Sequence, residues 1–276
     1  MTSQLLTNWQ DALGNRSSPF DQAQLEQVFA WSDFLATRFA RDADWVLQAD
    51  FSKQWSVGDI TQALSDSLID VADEADLGHR LRVFRNRQMT RIIWLDLTQQ
   101  VGLNETLSAL SELADACVNQ ALDYLMAWAI AKDGMPRDEE GNEQHLVVLG
   151  MGKLGARELN LSSDIDLIFC FPKHGLTDGI RPLENEAFFV RLGRQLIQVL
   201  NNTTADGFVF RVDMRLRPFG EAGPLAVSFD SLENYLFGQA REWERYAMVK
   251  ARPLTGLPED KALVEKMISA FVYRRY

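Results

Sequence analysis

The sequence predicts an α+β protein: a small mixed sheet with helices, preceded by a helical N-terminal region and followed by further helices. Three observations predict it. Apolar residues recur at helical spacing as far as about residue 131. A polar stretch holding Gly134, Pro136 and Gly141, "KDGMPRDEEGNEQ", then interrupts the chain at 132–144. After it, short β-branched runs alternate with helical ones. The chain is read as a helical region over 1–135, a core over 136–256 and the start of a C-terminal helical region over 257–276.

The elements follow in order. "FDQAQLEQVFAWSDFLATRFARD" places Leu25, Phe29, Trp31, Phe34, Leu35 and Phe39 at roughly helical spacing, with Asp21 as its N-cap. "ADLGHRLRVFRNRQMTRIIWLDLTQ" is a second helix. Its Arg82, Arg85, Arg87 and Arg91 suit either a phosphate-bearing ligand or a solvated face with salt bridges. "NETLSALSELADACVNQALDYLMAWAIAKDG" is a long helix capped by Asn104 and ended by Gly134. "HLVVLG" and "DIDLIFCF" read as strands, "LENEAFFVRLGRQLIQVLNN" as an amphipathic helix, and "GFVFRVDMRLRP" as a strand stopped by Pro218. "LENYLFGQAREWERYAMVKAR" returns to helix, and "EDKALVEKMISAFVYRRY" is a last helical segment.

Composition excludes several classes. A formal net charge of −11 disfavours bulk binding to nucleic acid, which needs a positive surface. No apolar run is long enough for a membrane span, and the N-terminus lacks a basic head followed by an apolar run. Cys117 and Cys170 sit in apolar segments and read as buried thiols of a cytoplasmic protein. His79, His145 and His174 show no ligand spacing.

The chemistry concentrates in "VVLGMGKLGARELNLSSDIDLIF". Gly150, Gly152 and Gly155 form a literal Gly-x-Gly-x-x-Gly after a strand, the pattern of a dinucleotide fold. There, a full helix and a second strand follow, with one acid about 20 residues on. Here Ser162 and Ser163 break the chain early, and the acids come as a pair at a strand start. Asp164 and Asp166 alternate with Ile165 and Leu167, so both carboxylates point to one face, where they repel unless a cation lies between them. Hard oxygen ligands of this kind suit Mg²⁺. The glycines are read as bringing backbone N–H groups near a phosphate chain, with Lys153 adding charge.

"GFVFRVDMRLRP" supplies a third acid. Arg211, Asp213, Arg215 and Arg217 share one face, opposite Phe208, Phe210, Val212, Met214 and Leu216. Taken alone, that face is also compatible with cross-strand salt bridges. Beside Asp164 and Asp166, Asp213 completes a set able to hold two metal ions for in-line displacement at phosphorus.

Glycine loop, "SSDIDLIF" and a later strand aspartate together resemble the DNA polymerase β-like nucleotidyltransferase superfamily. More closely, "LGMGKLGARELNLSSDIDLIF", "FVFRVDMRLRPFGEAGPL" and "WERYAMVKARPL" resemble the bifunctional glutamine synthetase adenylyltransferase/adenylyl-removing family. "RVDMRLRPFGE" and "WERYAMVKAR" are similar to its N-terminal, AMP-removing half. The resemblance implies metal ligation by Asp164, Asp166 and Asp213, with two Mg²⁺ ions that Mn²⁺ can replace. It implies phosphate or nucleotide contacts from Gly150, Gly152, Lys153, Gly155, Ser162 and Ser163, and makes Arg215, Arg217, Lys250 and Arg252 candidates for phosphate charges. Met151-Gly152 stands where minimal members of the superfamily place Ser after the first glycine. The family is far longer, so the chain is expected to be a fragment without the second transferase unit.

The activity implied is phosphorolysis of the AMP-tyrosine bond of glutamine synthetase, giving ADP and the unmodified enzyme. The implied partners are adenylylated glutamine synthetase, inorganic phosphate with ADP or ATP, and the PII nitrogen-signalling protein as regulator. Alternatives are transfer of AMP from ATP to a tyrosine, a catalytically incomplete regulatory module, and an NAD-binding dehydrogenase. Trp243 and Tyr246 suit either stacking on adenine or packing within a helix face, and Glu244 has no assignable task.

Overall fold

A computed structural model describes residues 2–52, 55 and 58–273. The end of the last predicted helical segment, 274–276, lies outside them. The N-terminal part consists of α1 (Thr2–Leu13), α2 (Gln22–Trp31), α3 (Asp33–Arg41), α4 (Ala43–Gln48), α5 (Asp59–Ser67), α6 (Glu74–Leu97) and α7 (Leu103–Asp133). Asp21 caps α2 as expected, its carboxylate accepting from the backbone N–H of Gln24. The predicted helix over 20–42 is broken at Ser32, whose hydroxyl accepts from the N–H of Leu35 and starts α3 afresh. Trp31, read as a core position, is exposed as a result. The long helix α7 begins two residues earlier than predicted, after Gly102, and Asn104 does not cap it.

The arginines of α6 do not form one solvated face, although Arg80 pairs with Asp76 at 3.0 Å. Arg82 and Arg91 are buried. Arg85 lies over the rings of Phe208 and Phe210, Arg87 over Trp45 and Arg91 over Trp55. Planar guanidinium groups stack on aromatic faces, and their stems fill apolar space. Burial pushes Arg85 down to about 10.

The second part follows as β1 (Pro136–Asp138), β2 (Val147–Gly150), α8 (Gly152–Gly155), β3 (Ile165–Phe171), β4 (Gly175–Thr177) and α9 (Asn185–Asn201). It continues with β5 (Val212–Asp213), β6 (Ala226–Ser228), α10 (Phe229–Gly238), α11 (Glu242–Met248), β7 (Arg252–Pro253) and α12 (Pro258–Val272). Strands β1 and β4 form a separate ribbon. In the main sheet β3 is central. It pairs antiparallel with β2 on one side and parallel with β5, then β6, along the other; β7 adds to the far edge of β2. This is the α+β arrangement that the sequence predicts.

Side chains of β3 alternate between two cores. Ile165, Leu167, Phe169 and Phe171 join the core shared with the N-terminal helices and α9. Ile168 and Cys170 join a second core built with α10 and α12. The period of two therefore places Asp166 on the side covered by the C-terminal helices. Both cysteines are free and buried, and burial pushes the Cys117 thiol up to about 12. Among the described residues no helix is long and apolar enough to cross a membrane.

Two predicted elements are shorter than expected. The strand over 207–218 reduces to Val212–Asp213, because Asp213 accepts from the N–H of Arg215 at 2.8 Å and turns the chain. The helix over 232–252 splits between Gly238 and Glu242, and Arg252–Pro253 becomes a strand. Beyond Pro253, Thr255 replaces the ladder: its buried hydroxyl accepts from Val148 N–H and donates to the Leu146 carbonyl, both at 2.9 Å. Thr255→Val keeps the shape and leaves both backbone groups unpaired, so urea denaturation should show a loss of about 1–3 kcal/mol. An unchanged midpoint would contradict this role.

Candidate active site

The site is built where β2 and β5 end and β3 begins. Ile165 pairs with Val212 and Asp166 with Asp213, so those two acids stand side by side on neighbouring strands. Asp164 precedes β3. The three line one open cleft of about 570 Å³ with Gly152, Lys153, Ser162, Ser163 and Arg215. Arg211 and Asn160, absent from the sequence-derived set, line it too. The alternation of "FRVDMRLR" already put Arg211 on the polar face with Asp213; nothing in the sequence marked Asn160.

Each acid has a different environment. Arg211 pairs with Asp164 and also donates to the Ser162 carbonyl at 3.0 Å. Arg215 grips Asp213 through its side chain and its own N–H. These bonds hold the Asp213 carboxyl below the usual carboxylate range. The Asp166 carboxylate has no hydrogen bond or ion pair of its own among the described residues. Burial raises it above the ordinary value, and the neighbouring Asp213 and Asp164 raise it further. A partly buried carboxylate, unpartnered and flanked by two like charges, is chemically suited to a divalent cation. Among the described residues no group of three acids, histidines or cysteines closes to metal-binding distances, and arginines pair with Asp164 and Asp213.

The glycines do different work from one another. Gly152 has φ +52°, and a Cβ there would stand 3.3 Å from Asp166 Oδ2, so glycine keeps the cleft floor open beside the acid. Gly150 and Gly155 lie outside the cleft. A Cβ at Gly155 would sit 1.9 Å from the Lys250 carbonyl, so this glycine lets the loop close onto the chain leading into β7. Lys153 donates to Ser163 at 3.3 Å, and Ser163 donates to Asn160 at 2.6 Å.

The remaining basic candidates are engaged elsewhere. Arg252 donates to the carbonyls of Leu154 and Gly155 and to Asp115 of α7, tying the loop to the helical part. Lys250 pairs with Glu158. Arg217 donates to the Met214 and Glu221 carbonyls and faces a neighbouring pocket. Trp243 and Tyr246 are exposed, not packed in a helix face. Glu244 is buried; it accepts from the N–H of Arg241 and from the Tyr235 hydroxyl, and so fixes the start of α11.

A profile of the glutamate-ammonia ligase adenylyltransferase family matches residues 22–267, a span that takes in the whole cleft. The chain belongs to this family. Relatives named bifunctional glutamine synthetase adenylyltransferase/adenylyl-removing enzyme agree with it along most of its length. The one from Thioalkalivibrio sulfidiphilus is 47% identical over 256 residues, covering 91% of this chain and 26% of the relative. Those from Shewanella loihica and Pseudomonas aeruginosa are each 46% identical, covering 97% and 96% of this chain. The chain spans 26–29% of the length of these relatives. The family is named for adenylyl transfer, a nucleotidyl-transfer chemistry.

The environment of Asp166 has a measurable sign. Its raised carboxyl contributes stability that is full below the ordinary Asp value of about 3.9 and lost as pH rises through the folded value. Asp166→Asn removes that loss. The urea midpoint of the variant should fall less than that of the parent between about pH 4 and pH 7. Identical pH profiles would contradict the assignment.

Proposed function

We propose that the cleft performs metal-dependent nucleotidyl transfer, and that the reaction is phosphorolysis of the AMP-tyrosine linkage of adenylylated glutamine synthetase. One observation carries the chemistry: Asp166 and Asp213 face each other in register, with Asp166 uncompensated and Arg211, Arg215 and Lys153 around it. The choice of protein substrate is supported by the names of the relatives, and the AMP-removing direction by the likeness of "RVDMRLRPFGE" and "WERYAMVKAR" to that half of the family.

Asp166 and Asp213, with Asp164, are the residues that would hold Mg²⁺. When bound, the cation supplies charge stabilisation at the phosphoryl oxygens and the leaving oxygen. The residues of the chain do the rest. Lys153 and the two arginines lie where they can hold phosphate oxygens, Arg being suited to bidentate contact. An oxygen of inorganic phosphate bonds to the α-phosphorus, and the bond from that phosphorus to the tyrosine oxygen breaks. The products are ADP and a phenolate, which takes a proton from solvent. A phenol has a pKa of about 10, so it departs without a strong general acid, and no histidine lines the cleft among the described residues.

The test incubates the chain with adenylylated glutamine synthetase, Mg²⁺ and phosphate and follows ADP. Asp166→Asn and Asp213→Asn should each lower the rate by at least about 100-fold, the effect of losing a few kcal/mol of transition-state stabilisation. ADP formation that survives either change, or its absence with the parent chain, contradicts the proposal. Transfer of label from ATP to unmodified synthetase in its place would assign the opposite direction.

A further inference from the structure

Beyond Arg215 the cleft has a neighbour. A separate pocket of about 330 Å³ lies between the turn that follows β5 and the junction of α10 with α11. Arg215 lines both. The other lining groups that matter are Arg217, Phe219, Gln239, Arg241 and Trp243. Its size is within the range of small-molecule sites, about 300–1,000 Å³.

We propose that this pocket receives the adenine base of the nucleotidyl group whose phosphate lies in the acid cleft, with Gln239 reading the base and Trp243 stacking on it. The proposal rests on the nucleotidyl-transfer reading and adds the place and the means of base recognition.

Four observations carry it. First, Asp166 projects from β3 on the side covered by the C-terminal helices, the side on which this pocket opens. The apolar hollow at the other end of the cleft, shared through Asn160 and Ser162, is walled by Leu107 and Leu110 of α7 on the opposite side. Second, the pocket presents exposed flat groups. Trp243 is 54% exposed and Phe219 48% exposed. Phe219 has φ +61°, a conformation that a bulky residue seldom adopts, and its ring packs edge-on against Tyr235 at 4.6 Å. Third, polar groups are left over. The Gln239 amide makes no hydrogen bond among the described residues, Arg241 makes no ion pair among them, and the buried Arg217 Nε has no partner. Fourth, the floor is rigid, because Glu244 is fixed by Tyr235 and by the start of α11.

The chemistry selects adenine. A glutamine amide offers one donor and one acceptor side by side, which matches the N7 acceptor and N6 donor of adenine. Guanine presents two acceptors on that edge and leaves the amide oxygen facing a lone pair.

The experiment is titration calorimetry of the chain in Mg²⁺ with three probes: ADP, GDP and pyrophosphate. ADP should bind at least about 10-fold tighter than GDP. Gln239→Leu should erase that preference. Trp243→Ala should weaken ADP by about 10-fold, in line with loss of one stacking contact, and Trp243→Phe should restore it. Pyrophosphate, which has no base, should bind all the variants as it binds the parent. If ADP binding depends on Mg²⁺ and Asp166 but ignores both Gln239→Leu and Trp243→Ala, the base lies elsewhere; the pocket assignment falls and the nucleotidyl-transfer reading stands. If the variants weaken pyrophosphate as much as ADP, the pocket does not read a base and the assignment falls. If the parent binds neither ADP nor pyrophosphate with Mg²⁺, both readings fall.

Discussion

Two residues of parallel pairing hold the site together. Val212 and Asp213 lie against Ile165 and Asp166, and that short ladder is what places acids 47 residues apart on one sheet edge. Ile165 donates to the Arg211 carbonyl, and the Asx contact of Asp213 with Arg215 ends the strand at once. A longer β5 would carry Arg215 away along the sheet. The abrupt stop instead turns its guanidinium back onto Asp213. In this state the arginines partly neutralise the acids, and Asp166 keeps the unmatched charge.

The surroundings serve that ladder. Met151 donates to the Asp166 carbonyl at 2.9 Å, so the glycine loop is anchored to the same strand that carries the acid. Gly155 lets the loop pack on the backbone at Lys250, and Arg252 caps the loop and reaches Asp115 in α7. Much of the fingerprint is thus explained by packing, while Gly152 and Lys153 remain at the cleft. Giving every glycine and cation of the motif to phosphate overcounts, because close backbone approach demands glycine as well.

The legible parts were those set by local spacing. Alternation in "DIDLIFCF" marked a strand with paired acids at its start, and "RVD" marked their third companion. Asp21 announced a helix start through a contact three residues away. What stayed hidden depends on distant partners. Strands β6 and β7 are two or three residues long and exist only through pairing with β3 and β2. Arg252 finds Asp115 across 137 positions of sequence. The arginines of α6 resembled a charged surface because composition does not reveal that Trp45, Trp55, Phe208 and Phe210 lie over them. An unbroken helix would also allow Trp243 a packed position; the break between Gly238 and Glu242, which spacing does not mark, accompanies its exposure.

The central claim is that Asp166 and Asp213 share a divalent cation. Crystals of the chain soaked with Mn²⁺ and a nucleotide test it most directly, through the anomalous signal of the metal. The account predicts a peak between the two carboxylates, with the Arg215 guanidinium drawn off Asp213 toward phosphate oxygens. A peak elsewhere, or none while Arg215 stays on Asp213 with nucleotide bound, would contradict it.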